Sequence, residues 1–147
     1  MKRYEKFFNI AKEISRISDF QRAKVGAVVV ENNRIISSGY SSKKTSPLQH
    51  KYNAYRHFDN PEKYTPPYIH AEIMALAPIM HQNHNWHKVS IYVYREKKDG
   101  TVSCARPCEA CMALIRKLGI RKIFYTNWEG QYTKEEFLKK GENDETN

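Results

Sequence analysis

One helical segment lies between two strand-like segments, and this arrangement constrains the fold more than any other feature of the sequence. The helical segment is EACMALIRKL (109–118), and Gly119 follows it as a typical helix-ending residue. The flanking segments, VSIYVYR (89–95) and RKIFYT (121–126), are rich in the β-branched and aromatic residues that strands prefer. Because a helix connects the two strands as a crossover, we expect them to be parallel and to share one sheet.

The N-terminal part of the chain predicts a helix and then a hairpin. Residues 4–18 repeat apolar side chains every three to four positions, which is typical of an amphipathic helix. Residues 25–31 and 34–40 are rich in β-formers, and the Asn-Asn link between them predicts a β-hairpin. The positions assigned to the apolar face of the helix are Phe7, Ile10, Ala11, Ile14 and Ile17.

Two more helices complete the predicted fold. Residues 70–81 have a helical composition, although Pro78 indicates a kink or an early end. Residues 134–140 predict a last short helix. The order of the elements predicts an α/β fold with helices packed on a mixed sheet. We expect one domain over residues 1–140 and a polar tail at 141–147.

Composition and charge exclude several classes of protein. The longest uninterrupted apolar run is Ala27 to Val30, far short of the roughly 20 residues that a membrane-spanning helix needs. The first ten residues lack the apolar core of a signal peptide, so we expect a cytoplasmic protein without a membrane partner. The 25 Lys and Arg against 16 Asp and Glu give a net charge of +9, which favours anionic partners such as nucleotides or nucleic acid.

Two short motifs carry metal-binding and proton-transfer chemistry. His70 and Glu72 stand at the start of one predicted helix, and Cys108 and Cys111 stand at the start of another. Two cysteines separated by two residues can reach one metal ion. One imidazole with two thiolates suits Zn²⁺ and leaves a fourth tetrahedral position for water. Glu72 would then lie beside that water without binding the metal, as a base next to an activated hydroxide.

These motifs carry a family resemblance. The order H-x-E followed by P-C-x-x-C is a signature of zinc deaminases. With VGAVVVENNRIISSGY before the first motif and RPCEACMALIRKLGIRKIFYT around the second, the chain resembles the cytidine and deoxycytidylate deaminase superfamily over residues 25–126. The resemblance implies a three-layer α/β fold, Zn²⁺ held by His70, Cys108 and Cys111, and Glu72 as the catalytic proton carrier. It also implies a homo-oligomer, because relatives often share active-site loops between subunits.

The resemblance implies hydrolytic deamination of a base. The first expectation for the substrate is a cytosine nucleotide or nucleoside, deoxycytidylate-like, which gives the uracil product and ammonia. The second is a base in RNA or single-stranded DNA, either adenosine in tRNA or cytosine, because a flipped base enters the same kind of pocket. A third possibility is a non-catalytic zinc module that binds nucleic acid, in which Cys104 joins His70, Cys108 and Cys111 in a closed structural site.

The segment between the hairpin and the first motif, residues 41–69, is aromatic and basic. Its position next to His70 favours substrate binding, with cations on phosphate and rings stacked on a base. The alternative is that its tyrosines cover the rim of the core and its lysines are solvated. Many members of the family carry an asparagine where this chain has Ser41, and Asn53 is the expected substitute. The predicted substrate contacts are Ser41, Lys43, Lys44, Tyr52, Asn53, Arg56, Ala71, Arg106 and Pro107.

A second group of histidines is open to two interpretations. His81, His84 and His87 are spaced three apart, which allows a second metal site. A polar helix end and loop is the favoured interpretation, because no thiolate or paired carboxylate lies nearby in the sequence.

Overall fold

The computed structural model describes residues 2–20, 23–56 and 66–137. No helix within these ranges is long and apolar enough to cross a membrane. The helices are α1 (Lys2–Ser15), α2 (Pro47–Tyr52), α3 (Ala71–Leu76) and α4 (Glu109–Leu118). The strands are β1 (Ala23–Glu31), β2 (Arg34–Tyr40), β3 (Val89–Lys97), β4 (Val102–Ser103), β5 (Lys122–Thr126) and β6 (Tyr132–Glu136).

The strands form one mixed sheet in the order β2-β1-β3-β5-β6, and the short β4 pairs with β3 beside this path. β3 and β5 are parallel, with Ile91 opposite Ile123, and α4 lies between them in sequence. The other pairs described are antiparallel. The predicted crossover and its parallel strands are therefore confirmed.

Helices cover both faces of the sheet. On one face, Phe8 of α1 packs edge-on against Tyr92, and the Tyr92 ring stacks on Phe124 at 4.3 Å between centroids. On the other face, Ile73 of α3 and Leu114 of α4 belong to the larger buried cluster. The central strands are consequently apolar on both sides, as expected for a sheet between two layers of helices. The α/β fold with helices flanking a mixed sheet is confirmed.

Local turn signals place the hairpin and the end of α4 where they were predicted. Asn32 and Asn33 link β1 to β2 with φ values of 51° and 65°. Asparagine tolerates this left-handed conformation better than most residues. Gly119 ends α4 at a φ of 101°. The helix predicted over 70–81 is shorter than expected, because α3 ends at Leu76 and turns follow it around Pro78.

The helix predicted over 134–140 is wrong for the described part of that segment. The chain instead forms β6, which pairs antiparallel with β5. Side chains alternate between its two faces: Tyr132 stacks on Phe8 at 4.0 Å, and the Glu135 carboxylate accepts a hydrogen bond from the Tyr125 hydroxyl at 2.9 Å. Pairing with β5 gives this short segment backbone partners that an isolated helix turn lacks. Residues 138–147 lie outside the described residues, so the domain limits stay a prediction.

Two glycines let helices sit directly on the sheet. A Cβ at Gly26 would collide with the backbone of α1 at Ala11 and Ser15, and a Cβ at Gly39 would collide with the backbone of α3 at Ala71 and Ala75. The face of α1 that packs closely against Gly26 includes Ala11 and Ser15. The buried residues of this helix are Phe7, Phe8, Ala11 and Ser15. Ile10 and Ile17, predicted to face the core, are exposed.

Candidate metal centre and active-site cavity

The starts of two helices meet at one place and bring three metal-ligating groups together. His70 directly precedes α3, and Cys108 directly precedes α4, both with extended backbone. Cys111 lies one turn into α4. The ligand atoms of His70, Cys108 and Cys111 all lie within 4.8 Å of one another.

The spacing of these atoms fits a tetrahedral zinc ion. The His70 Nδ1 atom lies 3.5 Å from the Cys108 sulfur and 3.4 Å from the Cys111 sulfur. A tetrahedral ion with Zn–S near 2.3 Å and Zn–N near 2.05 Å separates nitrogen and sulfur by about 3.6 Å. Within the described residues the group contains no fourth protein ligand. The donor set is therefore that of an open zinc site.

The electrostatics of the two thiols differ. A hydrogen bond from the Cys111 thiol, with a second one from His70, lowers the pKa of Cys108 to about 3. Burial raises the pKa of Cys111. Burial would lower the pKa of His70, but its hydrogen bond with Cys108 and the charge of Glu72 outweigh that effect and raise it. A zinc ion binds both sulfurs as thiolates and so takes the place of their protons.

Glu72 lies on the first turn of α3 and is almost completely buried, with 5% of its surface exposed. It lines the same cavity as His70 and Cys108, whose volume is about 360 Å³. Burial raises the pKa of the Glu72 carboxyl group to about 7, and the charge of His70 opposes this only in part. A carboxyl group with such a pKa can accept and release a proton near neutral pH.

This geometry agrees with what sequence comparison finds. The family model for the zinc-binding region of cytidine and deoxycytidylate deaminases matches residues 1–127. The chain belongs to this family. It is a zinc-dependent deaminase, a hydrolase in which His70, Cys108 and Cys111 are positioned to bind the metal.

Solved structures show the same fold. A deoxycytidylate deaminase from the cyanophage S-TIM5 is 24% identical, and the match covers 84% of this chain and 82% of that one with a TM-score of 0.57. The same phage protein in complex with dCMP and dUMP gives a TM-score of 0.58, with 84% and 80% covered at 24% identity. A cytidine deaminase from Burkholderia pseudomallei is 20% identical, covers 90% and 91% of the two chains, and has a TM-score of 0.61. No curated protein matches the chain.

Five of the residues predicted to contact substrate line the cavity of the deaminase. They are Ser41, Asn53, Arg56, Ala71 and Arg106. The Arg106 guanidinium is already engaged, because its Nε and a terminal nitrogen donate to the two carboxylate oxygens of Glu135 at 2.9 and 3.0 Å. This ion pair fixes the guanidinium at the cavity wall.

The other four predicted contacts do not line the described cavity. Tyr52 is 3% exposed and packs in the core, which matches the alternative interpretation of the segment 41–69. Lys43 and Lys44 are exposed outside the cavity, and Pro107 is buried beside Cys108 without lining it. Local charge and aromatic content pointed to these residues, but the path of the chain places them elsewhere.

The cavity also contains residues that the sequence did not single out. Phe20 and Tyr68 lie edge to face at 5.9 Å and both line it. Arg95 near the end of β3 lines it as well, and its Nε is buried without a hydrogen-bond partner in the described structure. Nothing in the strand pattern VSIYVYR distinguishes Arg95 from a residue at the solvent edge of the sheet.

Among the described residues, neither alternative metal site brings a group of ligand atoms together. Cys104 is not a member of the group at His70, which in the described part of the chain consists of three residues. His84 is held by Glu31 and Gln82 at 3.0 and 2.8 Å, and His87 contacts the Gly119 carbonyl at 3.1 Å. These hydrogen bonds match the favoured interpretation of a polar loop.

Proposed function

We propose that the deaminase acts on the base of a free cytosine nucleotide, deoxycytidylate-like, and releases the uracil product and ammonia. The observation that carries the proposal is the position of Glu72. Its buried carboxyl group lines the cavity next to a three-ligand metal group that leaves one position open. A volume of about 360 Å³ suits a small molecule rather than a protein segment.

Within this cavity, His70, Cys108 and Cys111 would hold the zinc ion. When bound, zinc supplies Lewis-acid activation of the attacking water. Glu72 takes up a proton from the water, passes a proton to the ring nitrogen N3 and helps to protonate the leaving amine. The water oxygen forms the new bond to C4, the C4–N4 bond breaks, and the amine departs as ammonia. Buried walls around Glu72 keep other water from competing for these protons.

Arg95 supports a substrate that carries phosphate. A buried guanidinium nitrogen without a partner is unfavourable, and an anion that reaches it removes this penalty. Phosphate oxygens match the planar fork of arginine well. Three arginines line the cavity: Arg56, Arg95 and Arg106. Arg106 is held by Glu135, whereas the Arg95 Nε is a buried donor without a hydrogen-bond partner among the described residues.

The test is ammonia release from a panel of cytosine and adenine compounds: bases, nucleosides, nucleotides and short RNA and DNA oligonucleotides. We expect turnover of a cytosine nucleotide without any nucleic acid. Glu72→Gln should lose about 10²- to 10⁴-fold in kcat, because it removes the proton carrier, and should keep its zinc. Glu13→Gln, an exposed position on the opposite face of the sheet, is the control and should behave as wild type.

Three outcomes would contradict the proposal in different ways. Turnover of oligonucleotides alone would assign the enzyme to RNA or single-stranded DNA. Full activity of Glu72→Gln would remove Glu72 from the mechanism. Zinc-loaded protein that is inert on the whole panel would refute cytosine deamination. A cytoplasmic location and assembly into a homo-oligomer stay predictions, which fractionation and light scattering can check.

A further inference from the structure

The buried side chain of Gln49 links the backbone of the metal ligand His70 to Asn53, which lines the substrate cavity. Gln49 of α2 is fully buried, and both ends of its amide group are engaged. Its Oε1 accepts a hydrogen bond from the backbone N–H of His70 at 3.0 Å. Its Nε2 donates to the Oδ1 of Asn53 at 2.8 Å. Buried amides are paired in this way because an unpaired polar group in the interior is costly.

The directions of these hydrogen bonds are fixed by chemistry. The backbone N–H of His70 can only donate, so the oxygen of the Gln49 amide must face it. The NH₂ group of Gln49 then faces Asn53, and Asn53 must turn its own oxygen toward that donor. The NH₂ group of Asn53 is thus directed away from Gln49.

Asn53 lines the cavity, and its NH₂ group makes no hydrogen bond within the described part of the chain. With respect to the described residues, the two N–H donors of Asn53 are therefore left for a molecule in the cavity. An amide that was free to turn over could offer its oxygen instead, and the cavity would then present an acceptor at the same point. The hydrogen bonds through Gln49 remove that freedom.

We propose that Gln49 is a positioning residue that fixes the amide of Asn53, so that the cavity presents an N–H donor to an acceptor oxygen of the nucleoside. The inference rests on the proposed function for the identity of that molecule. The same Gln49 side chain accepts a hydrogen bond from the backbone of His70, so it fixes the position of the Asn53 N–H donor relative to this metal ligand. Specificity then depends on a residue that does not itself line the cavity.

We call the two hydrogen bonds that run from the His70 N–H through Gln49 to Asn53 the relay. Gln49→Glu tests the relay by reversing the orientation of the Asn53 amide. Burial raises the pKa of a carboxyl group, so this variant is assayed above neutral pH, where the new side chain is ionised. One carboxylate oxygen still accepts from the His70 N–H, but the second oxygen faces Asn53 and repels its oxygen. Asn53 should turn over, donate to the new carboxylate and present its carbonyl oxygen to the cavity. We expect KM to rise about 10- to 100-fold with zinc content retained, because a hydrogen bond is lost and two acceptors oppose each other. Gln131→Glu, at an exposed position directly before β6, controls for the added charge.

A double-mutant cycle separates positioning from a general structural effect. In an Asn53→Ala background, the relay has no donor left to orient, so adding Gln49→Glu should change kcat/KM by less than about 2-fold. A structural role at His70 predicts the full loss in both backgrounds. Equal losses with and without Asn53 would therefore overturn the proposal.

Side-chain amide exchange tests the relay without reference to activity. In the ¹⁵N-labelled wild type, the Gln49 NH₂ should be protected from hydrogen exchange and the Asn53 NH₂ should exchange rapidly. In Gln49→Glu, the Asn53 NH₂ should become protected. Protection of Asn53 in the wild type would refute the inference. An inert wild type with this expected exchange pattern would instead refute only the proposed function.

Discussion

Gly39→Ala should damage the metal centre from a distance, and Gly26→Ala is its matched control. Gly39 on β2 faces α3, the helix that starts directly after His70 and carries Glu72. A Cβ at position 39 would lie 2.6 Å from the backbone nitrogen of Ala75 and closer still to the Ala71 carbonyl. Backbone atoms of a helix cannot move aside singly, so α3 must shift as a body.

The size of the shift follows from the contact. Ordinary van der Waals contact begins at about 3.4 Å, so α3 must retreat on the order of 1 Å. Overpacking of this kind costs about 1–3 kcal/mol of unfolding free energy. A displacement of about 1 Å at a catalytic group can cost 10²-fold in rate. We expect a loss in kcat of that order for Gly39→Ala, together with weaker zinc binding.

Gly26→Ala produces a similar collision on the opposite face of the sheet. Its Cβ would lie 2.6 Å from the backbone nitrogen of Ser15 and closer to the Ala11 carbonyl, so α1 moves and α3 does not. The control should therefore lose comparable stability but keep its zinc content and its kcat per folded molecule.

The assay combines urea unfolding, zinc content and ammonia release, each normalised to the folded fraction. The prediction is that close packing of α3 against Gly39 positions the metal centre. It is refuted if Gly39→Ala keeps wild-type kcat and zinc affinity, or if both variants lose activity equally.

Three further outcomes are expected. Arg95→Met should lower kcat/KM about 10- to 100-fold for a nucleotide but not for the matching nucleoside, whereas exposed Arg34→Met should change neither; equal losses on both substrates would exclude phosphate binding. Removing zinc with a chelator should lower Tm, because the free energy of unfolding falls by up to about 4 kcal/mol where free zinc was at 1,000 times its Kd. The Tm of Cys108→Ser should not change on chelation. The hydrogen bond from Arg106 lowers the pKa of Glu135, so its stabilising effect is present above the unfolded pKa and is lost as the pH falls. The Tm gap between wild type and Glu135→Gln should thus close below about pH 4, and a constant gap would contradict this ion pair.

Short sequence patterns were sufficient to predict the hairpin, the parallel strand pair and the metal ligands. The Asn-Asn link predicted the hairpin because few residues tolerate its left-handed backbone. The helix at 109–118 predicted the parallel pair because a crossover of that length allows little else. The ligands at 70, 108 and 111 were predictable because their spacing and their place at helix starts reflect the metal itself.

The rest depends on partners far away in the sequence. β6 is a strand because β5 offers it a free edge, and no pattern within 134–140 records that edge. Gln49 contacts His70, 21 residues later in the sequence, and the Arg95 Nε is buried without a hydrogen-bond partner among the described residues, and neither fact can be read from a local pattern. Lys43 and Lys44 illustrate the reverse, since their local charge suggested phosphate while the fold leaves them outside the cavity.

The metal ligands come from points 41 residues apart, on either side of the central strand β3. A nascent chain that has emerged from the ribosome only as far as His70 holds one of the three ligands of this site and no cysteine, which is too little to form the His-Cys-Cys zinc site. The ion can be captured only after α4 has been synthesised, when β1, β2 and β3 are already available to pair. The complete ligand set therefore forms late in synthesis, and a product truncated before Cys108 lacks both thiolates of this site.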